Sequence, residues 1–324
     1  MVKFLYSLVS QESDIYYEQT LVSMLSLRHH NPGAFVSLLV DDKTDSNLVG
    51  FRSKIRDLVD EYRVIPFDEG TSCMVRSRML KTSMRHWVDG DFVYIDGDTA
   101  IAAPLNIKVA DDCDIAAVTD LHGRESDRYH VKHKRMNLQK KILGFTLSLA
   151  DLYFNSGVIF VRDSDRSREF FEMWNELYRY CTSKGIYTDQ ISFNECNRLL
   201  GFPMKELPGE WNCQVREAYN HLYRVKVIFP LLCSAKIIHF FGSGIDGKTE
   251  PHPLMKKDFF EDIKRRGRIS EQELQMIYNA KNSFYGATEP LDRENKFPMF
   301  FTYRQFPRLF RFVSAFQKRW NEIC

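Results

Sequence analysis

The chain has 324 residues, 44% of them hydrophobic and 27% charged, which is ordinary for a soluble globular protein with room for one large domain or a main domain with an appendage. A net charge of +2 excludes a polyelectrolyte surface of the kind that binds nucleic acid by overall charge. No apolar run approaches the roughly 20 residues of a membrane span, and the N-terminal stretch MVKFLYSLVSQESD turns acidic too soon for a signal peptide. The expectation is therefore a cytoplasmic protein.

In chain order, KFLYSLVS (3–10) reads as a first strand, and the segment from Ile15 to His30 carries helical spacing that stops at Asn31-Pro32-Gly33. AFVSLLV (34–40) is a second strand, followed by Asp41-Asp42 as a loop and helix start and a helical stretch over 46–62. RVIPF (63–67) is a third strand, 75–88 a helix and DFVYI (91–95) a fourth strand. Strands alternating with helices predict βαβ units and a mainly parallel sheet of continuously apolar strands. DIAAVTD (114–120), YFNSGVIFVR (153–162) and KIIHFFG (236–242) add three strands, and 165–183 and 189–200 add helices. Charged helices over 255–282 and an Phe/Arg-rich tail, FPMFFTYRQFPRLFRFVSAFQKRW (297–320), place a boundary near residue 250. Seven cysteines without a CxxC pair read as reduced packing residues.

Chemistry concentrates in FVYIDGDTAIAAPL (92–105), where an apolar strand ends in Asp96-Gly97-Asp98. Ligands of open α/β sheets bind beyond the carboxyl ends of strands. Two carboxylates that close repel unless a divalent cation joins them, and Gly97 lets the chain turn tightly enough to bring them together. For a lone DxD, turn and helix-cap roles are the better explanation.

The company of that pair decides between the two. Downstream come Asp120 at the end of AAVTD, then YFNSGVIFV (153–161), TDQISFN (188–194) and IIHFFG (237–242). In this order the motifs resemble the GT-A glycosyltransferases, most closely the family 8 retaining enzymes, over roughly residues 1–245. The resemblance implies an α/β GT-A fold (1–250) with a helical C-terminal extension (251–324), and a metal held by Asp96, Asp98 and His239. Carboxylates with one imidazole suit Mn²⁺ somewhat better than Mg²⁺. It also implies donor and reaction-centre roles: Arg78, Asp96, Gly97, Asp98, Asp120, Asn155, Gly242 and Lys248 for the nucleoside diphosphate sugar, Asp189 and Gln190 for catalysis. Arg76 competes with Arg78 for its role, since MVRSRMLK departs from the family's spacing.

Two further departures stand out. HFFGSGIDGKTEPHP carries no Lys-Pro-Trp after the HxxG element, so Lys248 lies several residues further out. The first strand also lacks the family's acidic pair for the nucleotide base. What the resemblance implies is metal-dependent transfer from a nucleoside diphosphate sugar, with UDP-hexose as the expected donor, to a glycan or lipid-linked acceptor, as in bacterial surface polysaccharide or lipopolysaccharide synthesis. Two other readings exist: a haloacid-dehalogenase-like phosphatase using IDGDT, and a non-catalytic nucleotide-sugar-binding subunit.

In the tail, a helix over 306–320 would align Phe306, Leu309, Phe310, Val313 and Trp320, with Arg304, Arg308, Arg311, Lys318 and Arg319 around them. Such a face suits either the anionic inner surface of the cytoplasmic membrane or packing and oligomer contact.

Overall fold

The computed structural model describes residues 2–110, 112–122, 133–148, 151–215, 227–240 and 252–284, together with Phe306 and Leu309. Its centre is a seven-stranded sheet built from β1 (Lys3–Leu8), β2 (Phe35–Asp41), β3 (Glu61–Ile65), β4 (Phe92–Ile95), β6 (Ile115–Thr119), β7 (Phe154–Val161) and β8 (Met204–Glu206), in the order β3-β2-β1-β4-β7-β6-β8. Strands β3, β2, β1 and β4 run parallel, as do β6 and β8. Strand β7 is antiparallel to both of its neighbours, which makes the sheet mixed and mainly parallel.

The central strands read as mostly apolar runs because both faces of the sheet are covered there, whereas the edge strands β3 and β8 are more polar and more exposed. On one face, Tyr6, Leu38, Val93 and Phe160 pack against Tyr17, Leu21, Met24 and Leu27 of α1 (Tyr16–His30). On the other, Leu5, Leu39, Tyr94 and Ile159 meet Leu80 of α3 (Cys73–Thr82) and Phe170 and Trp174 of α6 (Asp165–Ser183). Alternate residues of one strand serve opposite faces, as the two-residue repeat requires. A short α4 (Met84–Trp87) leads from α3 towards β4, α5 (His133–Leu143) follows β6 in the chain, and α7 (Asp189–Leu199) adds Phe193 to the second face.

The single helix expected over 46–62 is replaced by three pieces. Helix α2 (Asp42–Asn47) is capped by the Asp41 carboxylate, which accepts from the Thr44 N–H at 3.1 Å. Gly50, at φ 57°, then turns the chain through the left-handed region into a 3₁₀ segment, Gly50–Leu58, and β3 begins by Glu61. Ile55 alone is buried in that segment, so too little apolar surface faces the core to hold a continuous helix. The helix expected over 75–88 likewise divides at Ser83 into α3 and α4.

A second, small sheet positions the chemistry. Strand β5 (Thr99–Ile101) follows the acid pair directly and pairs antiparallel with β10 (Ile237–His239), which is parallel to β9 (Cys213–Gln214). The register sets His239 opposite Thr99, and the Phe240 N–H donates to the Asp98 carbonyl at 3.1 Å. Pairing across more than a hundred residues thus places the late histidine beside the acid pair.

Beyond residue 252, helices Lys257–Arg266 and Glu271–Tyr278 bury Phe260, Ile263 and Ile277 in an apolar cluster that includes Ile15 and Val22 of the N-terminal region. Gly267 ends the first in the left-handed conformation, and Ser270 with Glu273 forms a capping box on the second. Apart from Phe306 and Leu309, the tail helix expected over 306–320 lies outside the described residues. No described helix is long and apolar enough to cross a membrane. The six cysteines among the described residues are free thiols.

Candidate active site

The Asp96 N–H donates to the Gly157 carbonyl at 2.7 Å, so β4 hands the acid pair directly to the middle of the NSG strand. One ligand atom from each of Asp96, Asp98 and His239 can be chosen so that all lie within 4.8 Å of one another. His239 Nε2 stands 3.2 Å from Asp98 Oδ1. An octahedral ion with bonds of about 2.1 Å spaces adjacent donors about 3 Å apart and opposite donors about 4.2 Å apart. The trio is close enough that a small adjustment would let it hold a single divalent cation.

Asp96 already accepts from the Tyr94 hydroxyl at 2.6 Å and from Lys81 Nζ at 3.0 and 3.1 Å through its two oxygens. A carboxylate offers about four acceptor sites, so these three bonds leave capacity on Oδ2 for a cation. Burial and the neighbouring Asp96 charge hold the Tyr94 phenol well above its ordinary range, which keeps it a donor.

Gly97 is required for a different reason from the tight turn its sequence position suggests. It is absent from the left-handed region that other glycines of the chain occupy. A Cβ here would overlap the Thr20 hydroxyl and come within 3.2 Å of the Thr20 Cβ on α1. The acid pair is pressed against α1, and only a residue without a side chain fits between them.

Asp189 opens α7 behind Thr188 and is buried. One of its oxygens meets Arg78 Nε at 3.0 Å; the other accepts from Ser156 Oγ at 2.9 Å and lies 3.4 Å from Lys81 Nζ. Burial raises the carboxyl pKa, but Lys81, Arg78 and the Ser156 hydroxyl outweigh it and hold Asp189 down at about 2. Burial likewise works against the Arg78 charge, and Asp189 with Asp96 overcomes it, so the guanidinium pKa is raised. Arg76, the competing arginine, instead pairs with Asp41 at 2.5 Å, away from this cluster.

Asn155 is the other hub. Its Nδ2 donates to Asp120 at 3.0 Å and to Gln190 at 3.3 Å, and its Oδ1 accepts from the Gly157 N–H and from Asn212 Nδ2, both at 2.9 Å. Asn212 Oδ1 in turn lies 3.0 Å from His239 Nδ1. Arg78, Asp189, Ser156, Lys81 and Asp96 thus form one chain of contacts, and Asp120, Gln190, Asn155, Asn212, His239 and Asp98 a second. The two meet at adjacent residues on β7 and again at Asp189 and Gln190. Gly242 and Lys248 lie outside the described residues.

Lys81, Tyr94, Ser156 and Asn212 were not singled out in the sequence. Lys81 lies three residues after Arg78 on one helix face, and Tyr94 two before Asp96 on one strand face, so periodicity could have found both. Nothing local marks Asn212.

The Asp189 carboxyl gives the fold a defined acid sensitivity. Its folded pKa is depressed from 3.8 to about 2. A depressed pKa contributes stability above the unfolded value that is lost as pH falls through the folded one. About 2 kcal/mol should disappear between pH of about 4 and 2, at 1.36 kcal/mol per unit. Urea unfolding across that window should show a smaller acid loss in Asp189→Asn than in the wild type; equal losses would contradict the assignment.

No protein-family model and no curated protein matches the sequence. Among solved structures, the galactosyltransferase LgtC in complex with donor and acceptor sugar analogs superposes with a TM-score of 0.50 at 14% identity, covering 85% of this chain and 100% of that one. The chain has the GT-A fold. Mouse xyloside xylosyltransferase 1, in its apo form, is similar at a TM-score of 0.49 and 14% identity, covering 74% of this chain and 97% of that one. The glycosyltransferase GlyE of Streptococcus pneumoniae gives 0.47 at 16% identity, covering 87% of this chain and 65% of that one. Within this GT-A sheet the acid pair follows the carboxyl end of β4, where open α/β sheets bind their ligands.

Proposed function

We propose that the chain is a metal-dependent glycosyltransferase that moves a sugar from a nucleoside diphosphate sugar, UDP-hexose being the expected donor, to a glycan or lipid-linked acceptor with retention of configuration. The observation that carries this reading is the joining of the Asp96–Asp98–His239 cluster to Asp189, Gln190, Asn155 and Asp120 by continuous hydrogen bonds and ion pairs in a GT-A fold. Asp96, Asp98 and His239 would hold the cation, Mn²⁺ or Mg²⁺. When bound, it supplies Lewis-acid stabilisation of the departing diphosphate.

The remaining work falls to the chain. Arg78 keeps 35% of its side-chain surface exposed and a firmly held positive charge, so it can meet phosphate or sugar oxygens. Asn155, Asp120 and Gln190 offer amide and carboxylate groups of the kind that recognise sugar hydroxyls. Gly242 and Lys248 complete the donor side of the proposal.

Asp189, with a pKa of about 2, is a poor proton acceptor at neutral pH, since efficient general bases titrate near the working pH. Both of its oxygens are engaged by Arg78, Lys81 and Ser156. These features support a fixed negative charge near the oxocarbenium-like centre, with Gln190 beside it. In the same reading residues 1–250 are catalytic. Residues 251–324 form an extension, and the basic tail 297–320 brings the enzyme to the cytoplasmic face of an anionic membrane for surface-polysaccharide or lipopolysaccharide synthesis.

The test is release of nucleoside diphosphate from a panel of nucleotide sugars, with and without Mn²⁺, by chelator-treated protein. Metal-dependent release from at least one donor is expected. Metal-independent release, or none while an aryl phosphate is hydrolysed, would contradict the proposal.

A further inference from the structure

We infer that Asn212 is a positioning residue that accepts the hydrogen bond of His239 Nδ1–H, so that Nε2 is the ring nitrogen left to face a cation at the acid pair. The inference deepens the metal-site reading and rests on it for the ligand role of Nε2. It starts from a group whose polarity cannot be reversed. The Gly157 backbone N–H can only donate, so the Asn155 atom 2.9 Å from it is oxygen. That same oxygen lies 2.9 Å from an Asn212 side-chain atom, which must therefore be the amide nitrogen.

The other Asn212 atom is then oxygen, and it lies 3.0 Å from His239 Nδ1. Nδ1 must carry the proton. A second anchor agrees: the remaining Asn155 atom faces the Asp120 carboxylate at 3.0 Å, where only a donor fits.

Position is fixed as firmly as polarity. A Cβ on Gly157 would come within 2.7 Å of His239 Nδ1, so the imidazole lies against bare backbone of β7. His239 and Asn212 are both buried, which shields their contact from bulk solvent. Nε2 faces Asp98 Oδ1 at 3.2 Å, so a cation bound there would take the place that a proton on Nε2 can fill. Second partners of metal-ligating histidines set ring orientation and ligand basicity, and their loss typically costs about 10–100-fold in metal affinity. The relay also ties the metal site to Asn155, the hub shared with Asp120 and Gln190.

The test uses the full chain, metal-free, ¹⁵N-labelled at histidine and held at mildly alkaline pH. Long-range ¹H–¹⁵N correlations report the tautomer, with the His239 signals identified by their loss in His239→Gln. A proton on Nδ1 is expected; a neutral ring protonated on Nε2 overturns the inference. Asn212→Leu, with the same branched shape and no polar atoms, should admit the Nε2–H form and weaken Mn²⁺ binding, read by electron paramagnetic resonance, by about 10–100-fold. Asn212→Asp keeps an oxygen for Nδ1–H and should retain the wild-type tautomer and bind Mn²⁺ more tightly than the leucine variant. Unchanged affinity in folded Asn212→Leu overturns the inference, and if that variant does not fold, loss of the Nδ1–H form in Asn212→Asp does so. A wild type with Nδ1–H that binds no Mn²⁺ overturns the metal reading and the ligand role of Nε2, while the tautomer spectrum still decides the relay.

Discussion

Asp98→Ala should lower metal-dependent sugar transfer and donor hydrolysis by about 10³-fold or more while leaving the fold intact, since a cation at a departing diphosphate supplies several kcal/mol of transition-state stabilisation. Asp98 is the cleaner of the two acids to remove. Its side chain is 22% exposed and faces His239, whereas Asp96 also neutralises the buried Lys81. Circular dichroism and the melting temperature should stay near wild type, separating a lost ligand from a lost fold. Undiminished activity in purified Asp98→Ala would sink the metal-site assignment.

Lys81→Met should act in the opposite sense, with stability as the first casualty. Its side chain is 2% exposed, and Nζ lies 3.0 Å from Asp96 and 3.4 Å from Asp189, over the Tyr94 ring at 5.0 Å. Removing one partner of a buried ion pair leaves an uncompensated charge and typically costs about 3–5 kcal/mol. Arg78 still faces Asp189, so the lower end of that range is expected, about 3 kcal/mol by urea unfolding at neutral pH. Adding Asp189→Asn should recover part of the loss, because the stranded carboxylate is then gone and the pair is energetically coupled. Stability equal to wild type in Lys81→Met, or strictly additive losses in the double variant, would contradict the role given to this lysine.

Much of the fold could be read from the chain because its strands are buried on both faces. KFLYSLVS, AFVSLLV and DFVYI are mostly apolar runs, and helix 165–183 has the bounds expected for it, with Ser164 as its cap. What could not be read has a physical reason in each case. Strands β5, β8 and β9 have two or three residues each, too few to show a repeat; KIIHFFG reads as a strand, but the register that sets His239 against Thr99 is a tertiary fact. The 46–62 stretch has a helical pattern but only Ile55 to bury in its 3₁₀ portion.

The site divides in the same way. Asp96, Asp98, Asn155, Asp189 and Gln190 sit in short motifs at strand and helix ends, where sequence signals are densest. Asn212 sits in LPGEWNC with no local signal, and its partners are 57 residues away at Asn155 and 27 away at His239. The glycines were visible but their purpose was not: Gly97 makes room for Thr20, and Gly157 for His239.

The central claim is that Asp96, Asp98 and His239 hold a cation that in turn holds a nucleoside diphosphate. Isothermal titration of UDP into chelator-treated protein, with and without Mn²⁺, tests it most directly, with Asp98→Ala as the control. The account predicts saturable binding in the presence of Mn²⁺ that is at least about tenfold tighter than without it, about 1.4 kcal/mol, and no Mn²⁺ effect in the variant. Equal affinity with and without Mn²⁺, or an unaltered Mn²⁺ effect in Asp98→Ala, would contradict it.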